Sequence, residues 1–257
     1  VKFASLGSGS KGNGTLIQAG EALLLVDCGF SAREVERRLA RLGVDARDLT
    51  AVLVTHEHGD HVRGVGALAR RYRLPVYASA GSALGMDNGR HDLGSCSWHR
   101  VWPGQAFELA GVRCLPVPVP HDAREPCQYR FTYAGRCLGV LTDLGSLSRE
   151  VVTAYAECDA LVLECNHDPG MLMSGPYPAM LKRRVGGDRG HLSNPQAAAL
   201  LAQCNIDRLQ ALVLSHLSEQ NNTPQRARDC IGETLEQGLE RIRVASQSEG
   251  FDWLELV

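Results

Sequence analysis

Within Thr55-His56-Glu57-His58-Gly59-Asp60-His61, three imidazoles and the Asp60 carboxylate fall inside six positions, a density poorly suited to core packing. Extended residues two apart project the same way, so His56 and His58 can converge on one cation. Asp60 and His61, adjacent in the following turn, can reach a second beside it. Further donors have to come from other strand ends, and the candidates are few. His121 follows Val117-Pro118-Val119-Pro120, where the prolines hold the chain extended. Asp143 and His216 each close an apolar run, and a carboxylate left there without a cation or hydrogen bonds would be costly. Singly, Asp143 also fits a helix cap, and His121 or His216 a loop histidine; jointly with the first string they read as one metal site. Two cations roughly 3.5–4 Å apart turn a shared water into hydroxide near neutral pH and polarise the group under attack, which at a phosphodiester sets up in-line displacement.

The elements that must position these residues are strands ending at the donors. Thr15 to Asp27 reads as two strands around Ala19-Gly20-Glu21, the second being Leu23-Leu24-Leu25-Val26. Ser31 can cap a helix to about Leu42, and Thr50–Thr55 is a buried strand. The same order recurs at Tyr129–Tyr133, Cys137–Thr142, a helix over Ser148–Ala156 and a strand over Ala160–Glu164, which suggests an internal duplication with Asp27 and Asp143 in related positions. Asn194 caps a helix to about Cys204 with Pro195 in its first turn, Leu209–Ser215 is a strand ending at His216, and a last helix spans about Thr223–Leu239. Residues 169–190 read as one long irregular segment. Apolar strands alternating with amphipathic helices give an α/β fold in four layers, αββα, as a single domain over 1–257.

The H-x-H-x-D-H string, with Asp27, His121, Asp143 and His216, resembles the metallo-β-lactamase superfamily along the whole chain. That resemblance implies that His56, His58 and His121 hold one metal and Asp60, His61 and His216 the other. Asp143 would bridge them, and Asp27 would orient the ligand loops. The opening Leu6-Gly-Ser-Gly-Ser-Lys-Gly-Asn13, Glu164-Cys-Asn-His-Asp168, Gly190-His-Leu-Ser-Asn194 and His216-Leu-Ser-Glu-Gln-Asn-Asn222 are similar to the YycJ/WalJ group, although Lys11 stands where a second serine is common. This similarity implies a DNA exonuclease working 5′ to 3′. The Gly190-His191-Leu-Ser motif also resembles the tail of ribonuclease Z.

Asp60 and His191 are the expected catalytic residues, His191 as proton donor or oxyanion stabiliser opposite the nucleophile. His191 as a cap, or as a metal ligand in place of His216, stays open. Lys182-Arg183-Arg184 with Arg189 concentrates positive charge suited to a phosphate backbone, or forms an ordinary solvated run. Asn13, Asn166, Tyr177, Lys182 and Arg183 are the expected substrate contacts. The cofactors are two divalent ions, Zn or Mn, with Fe also compatible with mixed imidazole and carboxylate donors.

A net charge of −2 gives no global pull toward polyanions. Nine scattered cysteines without a C-x-x-C pair read as reduced core thiols. No secretory layout is visible and no apolar run reaches the ~20 residues that span a bilayer, so the expected location is the cytoplasm, without a membrane partner. Competing functions are an RNase, a small-substrate hydrolase of the same fold acting on a thioester, lactone or cyclic phosphodiester, and a non-catalytic binding module, which the full donor set disfavours.

Overall fold

A computed structural model describes residues 1–87, 93–235 and 239–257. One sheet contains β1 (Lys2–Gly7), β2 (Gly14–Ala19), β3 (Ala22–Val26), β4 (Ala51–Leu53), β5 (Val76–Ala78), β6 (Trp98–Arg100) and β14 (Phe251–Glu255). The other contains β7 (Phe107–Leu109), β8 (Val112–Pro118), β9 (Cys127–Tyr133), β10 (Arg136–Leu141), β11 (Ala160–Glu164), β12 (Ala211–Ser215) and β13 (Ile242–Val244). Their orders are β14-β1-β2-β3-β4-β5-β6 and β13-β12-β11-β10-β9-β8-β7. In each sheet three antiparallel pairings precede three parallel ones, and the change falls at β3 in one and β10 in the other. The duplication read from the sequence is thus present in the topology, and Asp27 and Asp143 follow equivalent strands.

Strand periodicity explains the layering. Leu24 and Val26 face a core shared with Leu138, Val140, Val162 and Val213 of the other sheet. Leu23 and Leu25 point the opposite way, to a cluster that includes Val35 and Leu39 of α1 (Ala32–Arg41) and Val65 and Leu68 of α3 (Val65–Tyr72). Leu161, Leu163, Leu212 and Leu214 likewise pack beneath α5 (Arg149–Tyr155), α8 (Asn194–Leu201) and α9 (Pro224–Gly232). Central strands buried on both faces are therefore continuous apolar runs, and the result is the αββα sandwich. Two ties cross between the sheets near the site: Tyr129 Oη donates to Val54 O at 3.0 Å, and Cys127 N to Thr55 O at 3.0 Å. The short α2 (Gly59–Val62) and α4 (Ala80–Asp87) complete the first half.

Several expected elements differ. The segment 169–190 is not irregular: it holds α6 (Pro169–Ser174), capped by Asp168, and α7 (Ala179–Val185). Gly175 and the prolines at 176 and 178 end one helix and start the next, which masks both in the sequence. Ser193, not Asn194, caps α8, in a capping box with Gln196 that places Asn194 and Pro195 in the first turn. Helix α9 ends at Gly232, short of Leu239; residues 236–238 of that expected helix lie outside the described ones. Among the described residues, no helix is long and apolar enough to cross a membrane.

Buried Asp159, just before β11, accepts from Cys137 N at 2.7 Å and from Arg208 Nη2 at 3.0 Å. Burial would raise its carboxyl, but Arg208 and the Cys137 amide hold it below its ordinary value of 3.8. A depressed carboxylate contributes stability that is full above the ordinary value and is lost as pH falls through the folded one. Asp159→Asn is expected to remove on the order of 2 kcal/mol at neutral pH. Thermal unfolding would show this as a lower Tm, with the gap to the parent narrowing below pH 4.

Candidate metal centre

The donor string leaves β4 still extended and enters α2, so that His58 sits at the helix N-cap with φ −63 and ψ 145. His56, His58 and His121 bring one ligand atom each within 4.8 Å of one another, and so do Asp60, His61 and His216. Asp143 joins His56 and His61 in a third such group, which places it between the first two. The structure therefore gathers all seven expected donors. His58 Nδ1 lies 3.3 Å from His121 Nε2, and Asp143 Oδ2 lies 3.2 Å from His61 Nε2.

Several of these imidazoles are fixed through their other nitrogen. Asp27 Oδ2 is 2.7 Å from His61 Nδ1, while its two oxygens accept Thr55 N at 2.9 Å and Thr55 Oγ1 at 2.8 Å. His121 Nδ1 meets Gly190 O at 3.0 Å. Glu164 is the residue that sequence reasoning missed. Its carboxylate, fully buried at the end of β11, lies 2.7 Å from His191 Nδ1 and 3.0 Å from His216 Nδ1, and accepts from Leu144 N and Leu192 N. The available signal was a Glu closing the apolar run Ala160–Leu163, where an unpaired charge is costly.

The backbone is bent to serve these contacts. Asp27 (φ 62) and His216 (φ 53) both occupy the left-handed region, which non-glycine residues enter at a cost when surrounding bonds impose it. Ser8 Oγ accepts from His216 N at 2.8 Å, and Asn166 Nδ2 donates to His216 O at 2.9 Å. Glycine is needed at 145, where an added Cβ would stand 2.4 Å from Gly190 N. This close approach sets the His191 loop against Asp143.

The donor set fits divalent cations by a test internal to the structure. His56 Nε2, Asp143 Oδ2 and His216 Nε2 are buried with no hydrogen-bond partner among the described residues, an arrangement that native interiors rarely leave uncompensated. Burial, with neighbouring imidazoles, holds His56 well below its ordinary value, and burial lowers His121 too, so both present free lone pairs. Burial also opposes charge on His61 and His216. There Asp143 and Asp60 outweigh it, lifting His61 well above the ordinary value and His216 to about 10. A cation would supply the positive charge that these carboxylates otherwise draw from two protons.

A cleft of about 360 Å³ opens over this cluster, lined by Ser10, Asp122, Tyr177, Arg184 and His191 among others. His191 also falls in a group of possible ligands with Asp143, Glu164 and His216. Of the expected substrate contacts, only Tyr177 lines this cleft. Asn13 is buried and turned inward, its Nδ2 3.3 Å from Asp60 Oδ2 and 3.0 Å from His61 Nε2; Asn166 is held by His216. Lys182 and Arg183 face another pocket, on the far side of α7, whereas Arg184 faces the cleft and pairs with Asp122 at 2.6 Å.

The chain belongs to the beta-lactamase superfamily, whose domain it matches over residues 23–217. Within it, the chain is similar to exodeoxyribonuclease YycJ of Bacillus anthracis, at 36% identity over 92% of this chain and 90% of that protein. It is 35% identical to exodeoxyribonuclease WalJ of Streptococcus pneumoniae serotype 2, over 88% of this chain and 85% of that one. Among solved structures, Zn(2+)-bound PqqB from Methylobacterium extorquens shares the fold with a TM-score of 0.76 over the whole of both chains, at 17% identity.

Asp27→Asn would keep the left-handed turn, which Asn tolerates, but remove the charge that fixes His61. Metal affinity is expected to drop roughly 10- to 100-fold with the fold intact, read by chelator competition and circular dichroism.

Proposed function

We propose that this chain is a cytoplasmic two-metal exonuclease that digests DNA from the 5′ end, with residues 1–257 acting as one unit. The observation that carries the reading is the meeting of two donor sets at Asp143, on the floor of a cleft that also exposes His191. Similarity to two exodeoxyribonucleases over most of the chain supports the same class of substrate.

His56, His58 and His121 would hold one ion and Asp60, His61 and His216 the other, with Asp143 shared; Zn and Mn both suit these donors. When bound, such a pair supplies an activated water and stabilises charge on the phosphoryl oxygens. The chain's own residues do the rest. His191 gives Nδ1 to Glu164, so Nε2 is the nitrogen left to pass a proton to the departing oxygen. Burial pulls His191 down, but the Glu164 carboxylate outweighs it and raises its pKa, favouring the protonated form that this role requires. Tyr177 and Arg184 stand at the cleft wall, where a phosphate would meet them.

The test is a substrate panel: linear DNA labelled at the 5′ or the 3′ end, RNA of the same sequence, and a small chromogenic phosphodiester. Early release of labelled mononucleotide from 5′-labelled DNA alone is the expected result. Faster digestion of RNA would assign the RNase reading, and turnover of the small ester alone would assign a small-substrate hydrolase.

A further inference from the structure

Helix α7 has a second cavity on its other side. Leu181, Arg184 and Val185 line the metal cleft, whereas Lys182, Arg183 and Ala179 line a pocket of about 550 Å³ completed by Leu172, Met173 and His167. The walls of this pocket are largely aliphatic, and its two cations come from the same helix turn. Met173 is 70% exposed, an unbranched thioether free to mould itself to a flat ring. His167 is 3% exposed, and its Nδ1 has no hydrogen-bond partner among the described residues. No step in the hydrolysis uses any of these groups.

Resting on the nuclease reading, we propose that this pocket receives one unpaired base of the DNA strand whose phosphate lies in the metal cleft. Apolar walls beside cations match the two halves of a nucleotide, a flat base of low polarity on its faces and an anionic backbone. The two cavities flank a single helix, about 10 Å across. A stacked strand, at about 3.4 Å per nucleotide, covers that distance in about three. The base held there would fix the register of the strand, and the requirement that it be unpaired would select frayed or single-stranded ends over closed duplex.

The experiment uses His191→Ala protein, which keeps its metal and turns over slowly, and single-stranded oligodeoxynucleotides in which one abasic site is moved stepwise from the 5′ end. Binding is read by fluorescence anisotropy. Loss of one base at a single position near the third is expected to weaken binding on the order of tenfold, with neighbouring positions near neutral. Adding Met173→Ser, an exposed and uncharged change that the fold should tolerate, is expected to weaken binding of intact DNA and to cause no further loss on the abasic strand. A flat scan, or losses that multiply when the abasic site and Met173→Ser are combined, overturns the base pocket. If wild-type protein digests DNA while the scan is flat, only this inference falls. If wild type digests no DNA and the His191→Ala protein binds none, the nuclease reading falls with it.

Discussion

Asp143→Ala is expected to remove metal and hydrolysis together, the largest effect of any single substitution in the chain. Asp143 sits within ligand distance of both His56 and His61, and its Oδ1 lies 3.3 Å from His216 Nδ1. Its loss would open both donor sets and leave His61 and His216 without the carboxylate that most strongly opposes the effect of burial on them. Loss of a supporting partner weakens metal binding roughly 10- to 100-fold, and loss of a shared ligand should exceed that. His58→Ala, which takes one imidazole from the first set, is expected to act in the same direction. Metal content after gel filtration and turnover on one sample check both. Full activity in an Asp143→Ala protein that carries no metal would remove the basis of the mechanism.

His191→Ala is expected to behave differently: metal retained, turnover slower by a factor on the order of 10² to 10⁴, the range for removal of a general acid. The distinction from His216 rests on where each imidazole sits. Both line the cleft and give Nδ1 to Glu164, but the His216 side chain is 2% exposed with its Nε2 3.7 Å from Asp60 Oδ2, whereas the His191 side chain is 23% exposed. Metal analysis alongside kinetics separates the roles. Metal lost with His191→Ala would assign His191 as a ligand.

The clustering of the seven candidate donors was legible because the string 56–61 is local: extended and helical geometry alone place its side chains, and the three distant donors each end an apolar run. Glu164 was not legible in the same way. Its partners lie 27 and 52 residues away, and only the parallel pairing of β10, β11 and β12 brings those strand ends together. The positions of the expected substrate contacts were hidden for a different reason. Successive helical residues point about 100° apart, so which of Lys182, Arg183 and Arg184 faces the cleft depends on the placement of a helix that proline and glycine hid. Asn13 and Asn166 were expected to meet substrate, yet burial turns both amides inward to hold Asp60, His61 and His216. The four layers were readable because β3, β11 and β12 are buried on both faces and their sequences show it.

The most direct measurement is a reconstitution titration: metal-stripped protein receives Mn²⁺ or Zn²⁺ in sub-stoichiometric steps, and release of nucleotides from labelled linear DNA is followed at each step. Activity that is absent without metal, saturates at two ions per chain and never appears in the Asp143→Ala protein is the expected result. Digestion by the stripped protein, or no digestion with either ion loaded, would contradict a two-metal DNA exonuclease.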